Sequence, residues 1–245
     1  NYFAQQQPEE REVKEMKETA VIVGAGPGLS SSLTTLLIRN DFRVALAARN
    51  IGKLSTLEET LNVDVYPCDA SSIDQVRSLF QKLDKTLGTP DLVIYNPSAR
   101  VRGGIVEVDP EDTQKAINIT CFGAFLVAQE AAKRMIERGN GSIFFTGASA
   151  SVKGYANSSV FAMGKFGLRG LAQALARELQ PKNIHIGHFV IDGGIKADHR
   201  PERNDPGDDS MLDPDSIAET YLQFHRQHRN SWSWEIELRP WLENF

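Results

Sequence analysis

The chain has 245 residues, with 41% hydrophobic and 24% charged residues and a formal net charge of −5 at pH 7. That balance is ordinary for a globular protein and argues against non-specific nucleic-acid binding, which needs a basic footprint. No apolar run approaches the ~20 residues of a membrane-spanning helix, and the polar start NYFAQQQPEEREVKEMKE is unlike a secretory signal.

Residues 1–18 therefore read as a polar tail outside the fold, and residues 19–245 as a single domain. TAVIVG (19–24) is a buried strand, and Gly28 to Arg39 a helix with Leu33, Leu36 and Leu37 on one face. FRVALAA (42–48) is a second strand, Lys53 to Thr60 is helical, and VDVYPC (63–68) is a third strand. Ser71 stands where an N-cap belongs, with Asp74 three residues on, opening a helix to about Leu87. DLVIYN (91–96) is a fourth strand, and Pro110 suits the first turn of one long helix reaching Arg138. GSIFFTG (141–147) is a fifth strand, 157–180 a long helix, and NIHIGHFVI (183–191) a sixth strand. Asp213 and Pro214 open a helix to His228, and SWEIEL (233–238) is a last strand. Strand–helix alternation implies right-handed βαβ units and a parallel sheet covered on both faces, an α/β fold of three layers.

Three stretches carry chemistry. In GAGPGLS (24–30), Gly24, Gly26 and Gly28 let the backbone turn tightly and approach a phosphate, and the following helix start offers N–H groups to an anion. Ser30 stands where a third glycine is usual, small enough for close packing. An NAD site wants a carboxylate about 20 residues past the glycines, yet VALAARN (44–50) holds Arg49 and no acid. A guanidinium there pairs with a 2′-phosphate, so NADP(H) is the preferred cofactor, with NAD(H) as the alternative. The charged segment GGIKADHRPERNDPGDDSML (193–212) follows the sixth strand, where a long loop covers a ligand crevice.

Several motifs in order now show that residues 19–245 resemble a short-chain dehydrogenase/reductase. They are GAGPGLS, CDASS (68–72), YNPSA (95–99), INITCF (117–122) and FAMGK (161–165). The resemblance implies a Rossmann-type doubly wound sheet of seven mainly parallel strands in order 3-2-1-4-5-6-7, a small-molecule substrate and a homodimer or homotetramer. It implies cofactor contacts from Gly24, Gly26, Pro27, Gly28, Leu29, Arg49, Asp69, Ala70, Asn96, Lys165, Asp192 and Gly193. Within that set, Asp69 would meet the adenine amino group. Asn118 matches the active-site asparagine.

The family's proton-handling residues are a Ser, a Tyr and a Lys. Here Phe161 takes the Tyr place, one turn before Lys165, and counting back from Gly154 puts the Ser place on Ala148. A one-residue shift of register would put Ser149 in that role. Phenylalanine cannot donate a proton, and losing a general acid costs about 10² to 10⁴ in rate. Ser158 on the helix face of Lys165, Tyr155 in the preceding loop, and a water held by Asn118 and Lys165 are the alternative donors. After the sixth strand the chain reads IDGGI (191–195), where Asp192 is either a polar site residue or the cap of a turn. Two readings follow: an NADP(H)-dependent oxidoreductase with a non-standard proton donor, or a silent NADP(H)-binding sensor or partner subunit.

Other signals are weaker. Cys68 and Cys121 are expected as buried reduced thiols of a cytoplasmic protein. His225 and His228 lack companion ligands and read as a solvated helix face, so no metal site is expected. His185 and His188 fall on opposite faces of their strand. Trp232 and Trp234 are expected on one face of the last strand, in a core or subunit contact.

Overall fold

The structure, a computed structural model, describes residues 17–197 and 209–242. The 1–18 tail and the 193–212 loop expected from sequence thus lie largely outside the described residues. The strands are β1 (Thr19–Val23), β2 (Arg43–Ala48), β3 (Asp64–Pro67), β4 (Leu92–Tyr95), β5 (Gly141–Thr146), β6 (Ile184–Ile191) and β7 (Glu235–Leu238). They form one sheet in the order β3-β2-β1-β4-β5-β6-β7, and every neighbouring pair is parallel. The Rossmann-type order expected from sequence is the observed one.

Side-chain alternation along the strands divides the core in two. Val21 and Val23 of β1 face α3 (Ile73–Thr86), α5 (Gly123–Arg138) and α6 (Ser159–Leu179). Ala20 and Ile22 face α1 (Leu29–Arg39) and α7 (Pro214–His225). On α1, Leu29, Leu33 and Leu37 recur at helical spacing and are buried. Each stabilises the fold by about 1.5–3 kcal/mol. A smaller helix, α2 (Ser55–Leu61), connects β2 to β3 along the chain and packs against α1.

Four sequence expectations are corrected. Ser72, not Ser71, caps α3: its Oγ accepts from Gln75 N, while Ser71 Oγ donates to Asp69 Oδ1 at 2.7 Å. The helix expected over 110–138 is broken into α4 (Pro110–Ile117), a π-helical turn at Asn118–Phe122, and α5. The cause is Tyr95, whose buried hydroxyl donates to the Ile119 carbonyl. That carbonyl is the one Gly123 N would meet in an α-helix, and Gly123 N bonds Asn118 O instead. Gly123 also sits so close to the segment after β3 that a Cβ would come within 2.7 Å of Ala70 O.

The other two corrections concern the far end of the sheet. The last helix stops at His225, whose ring is held between Ser142 Oγ at 2.9 Å and Glu18 at 3.2 Å rather than solvated. Trp232 and Trp234 fall on opposite sides. Trp232 stacks on His185 with ring centroids 4.6 Å apart, whereas Trp234 packs with the α3–α5–α6 core and under the Arg169 guanidinium. His185 and His188 do point to opposite faces, and Cys68 and Cys121 are free thiols, the first buried and the second half-buried.

Candidate functional site

The order of the sheet reverses between β1 and β4, and a crevice opens at the carboxyl ends of the strands there, where ligands of such sheets bind. Its first cavity, about 350 Å³, is bounded by the glycine loop, the end of β2 with Arg49 and Lys53, the 68–70 segment and the turn after β4. Its second, about 380 Å³, runs from Asn96 and Ser98 past Arg100 to Ser149, Phe161, Lys165 and Gly193. Asn96 and Ser98 border both, so the two are halves of one groove.

The glycine loop has the form its residues demand. Gly24 has φ +79, and a Cβ there would stand 2.5 Å from Pro97. Gly28 has φ 96, a region open to glycine, and forms the N-cap of α1 without any side-chain hydrogen bond. The first turn of α1 carries no acidic residue, so the helix start lacks an anion of its own. A Cβ on Gly26 would meet nothing within 4 Å, so open space lies beside the backbone there. A dinucleotide pyrophosphate fits this cradle. Pro27 is exposed at the tip, and Leu29 is buried and pins the helix to the core. Ser30, in place of a third glycine, accepts from Asn96 Nδ2 at 2.9 Å and so ties the loop to the turn after β4.

Arg49 is exposed and lines the first cavity together with Asn50 and Lys53. Asp69 and Ala70 line it too, with Asp69 Oδ1 accepting from Ser71 N at 2.9 Å. Burial pushes the neighbouring Cys68 thiol up to about 11, so it is protonated and inert at neutral pH.

In the second cavity, Lys165 is buried, and its Nζ donates to the Thr146 carbonyl at 2.7 Å. Burial, aided by the charge of Arg100, draws its pKa from 10.5 to about 7. Phe161, one turn earlier, is 6% exposed and presents its ring to the cavity. Ala148 and Ser149 both line the wall, so position alone does not choose between the two registers. Gly193 lines it as well; its φ is +154, and a Cβ would meet Pro240 Cδ at 2.6 Å.

Three residues singled out from sequence lie elsewhere. Asp192 is 3% exposed and its carboxylate is turned to Lys153 Nζ at 3.0 Å and Arg239 Nη2 at 2.9 Å, an ion-paired placement that neither sequence reading named. Tyr155 is 49% exposed and outside the cavity wall. Asn118 sits half-buried in the π-helical turn, outside the lining of both cavities. Sequence reasoning passed over Arg100, whose guanidinium lies 4.1 Å from the Phe161 ring centroid. Its signal was its place in the loop that leaves the carboxyl end of β4.

A profile of the short chain dehydrogenase family matches residues 18–207. Among curated proteins, an uncharacterised oxidoreductase of Staphylococcus aureus is 26% identical over 227 residues, 90% of this chain and 96% of its own. A crystal structure of a short-chain dehydrogenase from Rhodopseudomonas palustris is 31% identical, with a TM-score of 0.78 over 91% of this chain and 99% of its own. A tyrosine-to-phenylalanine variant of ElxO, described with NADPH bound, shares the fold with a TM-score of 0.82 at 20% identity, over 91% of this chain and 97% of its own. The chain belongs to the short-chain dehydrogenase family and is an oxidoreductase of the short-chain type.

Proposed function

We propose that this protein is an NADP(H)-dependent reductase of a carbonyl compound or activated alkene, with Phe161 in the place of the family's tyrosine and the proton supplied by another group. One observation carries the reading. A single groove leads from the Gly24–Ala25 turn that precedes α1, past Asn96, to a buried lysine.

The pyrophosphate would lie on the glycine loop and the start of α1, and Asp69 would receive the adenine amino group. Arg49 and Lys53 at the end of β2 would hold a 2′-phosphate; the only carboxylate among the described residues lining that cavity is Asp69. Bound there, the cofactor supplies hydride. Lys165 would steady the nicotinamide ribose, and Phe161 would pack beside the ring without trading a proton. Ser149, or a water reached from Lys165, is left to serve the substrate oxygen. The NADPH complex of the ElxO variant agrees with nucleotide binding where phenylalanine replaces a tyrosine.

The outer faces of α5 and α6 expose Phe125, Ile136, Met163 and Phe166, with Phe122 beside them, an apolar surface that supports assembly into a homodimer or homotetramer. The free thiols of Cys68 and Cys121 support a reducing, cytoplasmic setting. The test is calorimetric titration with NADPH and NADH. Arg49→Ala should weaken NADPH about tenfold, the lower end for a charge-assisted contact given its exposure, and leave NADH unchanged. Equal weakening of both removes the case for NADP, and no association of either form refutes the proposal. A protein that binds NADPH yet reduces nothing in a broad panel of carbonyl and enoyl compounds would be the silent partner instead.

A further inference from the structure

Thr146 is the last residue of β5, and both of its oxygens are engaged. Its carbonyl accepts from Lys165 Nζ at 2.7 Å, and its hydroxyl lies 2.9 Å from that of Tyr221, which reaches it from α7. Among the described residues neither hydroxyl has a second hydrogen-bond partner. Two hydroxyls carry two protons, and one bond between them uses only one. Tyr221 is buried and shut in by apolar rings. Phe189 stacks on it with centroids 3.6 Å apart and planes at 12°, and Phe144 meets it edge-on. A phenol proton left over in that pocket would be an unsatisfied buried donor. Burial also holds the phenol above its ordinary pKa range, so it keeps its proton. Tyr221 therefore donates and Thr146 Oγ1 accepts. Thr146 keeps 8% of its surface open and lines the cavity that holds Phe161 and Lys165. Its own proton is thus the one left for a bound molecule. Among the described residues Tyr221 has no further partner from which to recover a proton, so the pair orients a hydrogen bond rather than relaying protons.

Ligands of such sheets lie on the carboxyl ends of the strands, so the molecule that meets the end of β5 is the cofactor rather than a substrate stacked upon it. The lysine that Thr146 anchors is the one placed against the nicotinamide ribose, and the nicotinamide group that accepts from a hydroxyl is the carboxamide oxygen. We propose that the Thr146 hydroxyl, fixed as a donor by Tyr221, binds the carboxamide oxygen of the nicotinamide. This rests on the reductase reading of the groove. Thr146 is then a cofactor-binding residue and Tyr221 a positioning residue that acts through it.

The test is calorimetry with three nucleotides: NADPH, its thionicotinamide analogue, whose sulfur is a poor acceptor, and 2′-phospho-ADP-ribose, which lacks the nicotinamide. Wild type should bind NADPH about three- to tenfold more tightly than the sulfur analogue, the yield of one neutral hydrogen bond. Thr146→Val combined with Tyr221→Phe removes both hydroxyls and leaves neither unpaired, so the variant should fold. It should bind NADPH and the sulfur analogue alike, and 2′-phospho-ADP-ribose as wild type does. Thr146→Ser, which keeps the hydroxyl, should keep the preference, and Tyr221→Phe alone should keep only part of it. Equal binding of NADPH and its sulfur analogue by wild type overturns the inference. A preference that survives in the double variant, or an equal loss of all three nucleotides there, does the same. These results leave the reductase reading standing wherever NADPH binds, whereas a wild type that binds none of the three refutes that reading and this inference with it.

Discussion

Replacing Lys165 by methionine should change how stability depends on pH. The side chain is buried, and its pKa is drawn from 10.5 to about 7, chiefly by burial and then by Arg100. The unfolded chain returns the amine to about 10.4. Between about pH 7 and about pH 10 the unfolded state therefore holds more proton than the folded one, and folding stability rises with pH across that window. One proton gives a slope of at most about 1.4 kcal/mol per pH unit. Methionine fills a similar volume and carries no proton. The unfolding free energy of wild type minus that of Lys165→Met should thus increase by about 2 kcal/mol from about pH 7.5 to about pH 9. Cys68 and Cys121, which titrate in this range when unfolded, occur in both proteins and cancel in the difference. Equilibrium urea unfolding of the two proteins, without cofactor, measures it. A difference constant to within about 0.5 kcal/mol over that range would refute a lysine that titrates near neutrality.

Burial draws His185 and His188 down to about 4, so both rings are neutral at pH 7, and the 3.0 Å contact of His188 with Glu235 is a hydrogen bond rather than an ion pair. Their unfolded pKa is about 6.5, so the stability they carry is present above that value and lost as pH falls toward 4, by up to about 1.4 kcal/mol per pH unit for each ring. His185→Phe should halve that part of the acid slope in urea unfolding between about pH 6.5 and about pH 5; a slope equal to wild type counts against it. Gly24→Ala combines φ +79 with a Cβ 2.5 Å from Pro97 and should lose about 2 kcal/mol or more, and an unchanged thermal midpoint would show that the loop adapts.

The fold was largely legible because its signals are local. β-branched runs alternating with helical periodicity mark a parallel sheet, and the glycines of 24–28 mark the turn that opens α1. The break at Asn118–Phe122 was not legible. It depends on the Tyr95 hydroxyl reaching Ile119 from a strand 24 residues away, and nothing in INITCF itself lowers helix propensity enough to announce it. Asp192 shows the same limit. Its sequence neighbours suggest a crevice residue or a turn cap, and its carboxylate is settled by Lys153 and Arg239, 39 and 47 residues distant (192 − 153 and 239 − 192).

From the chain alone come the order of the elements, the glycine-rich turn before α1, an arginine with no acid beside it at the end of β2, and a lysine one turn after Phe161. Each is written in neighbouring residues, through periodicity, turn chemistry or spacing along one helix. Tertiary structure alone decides which charges meet: Arg100 on the face of Phe161, Lys165 against the Thr146 carbonyl, Asp192 withdrawn from the groove. Those meetings join distant segments, and their energies depend on burial, which no local pattern of residues specifies.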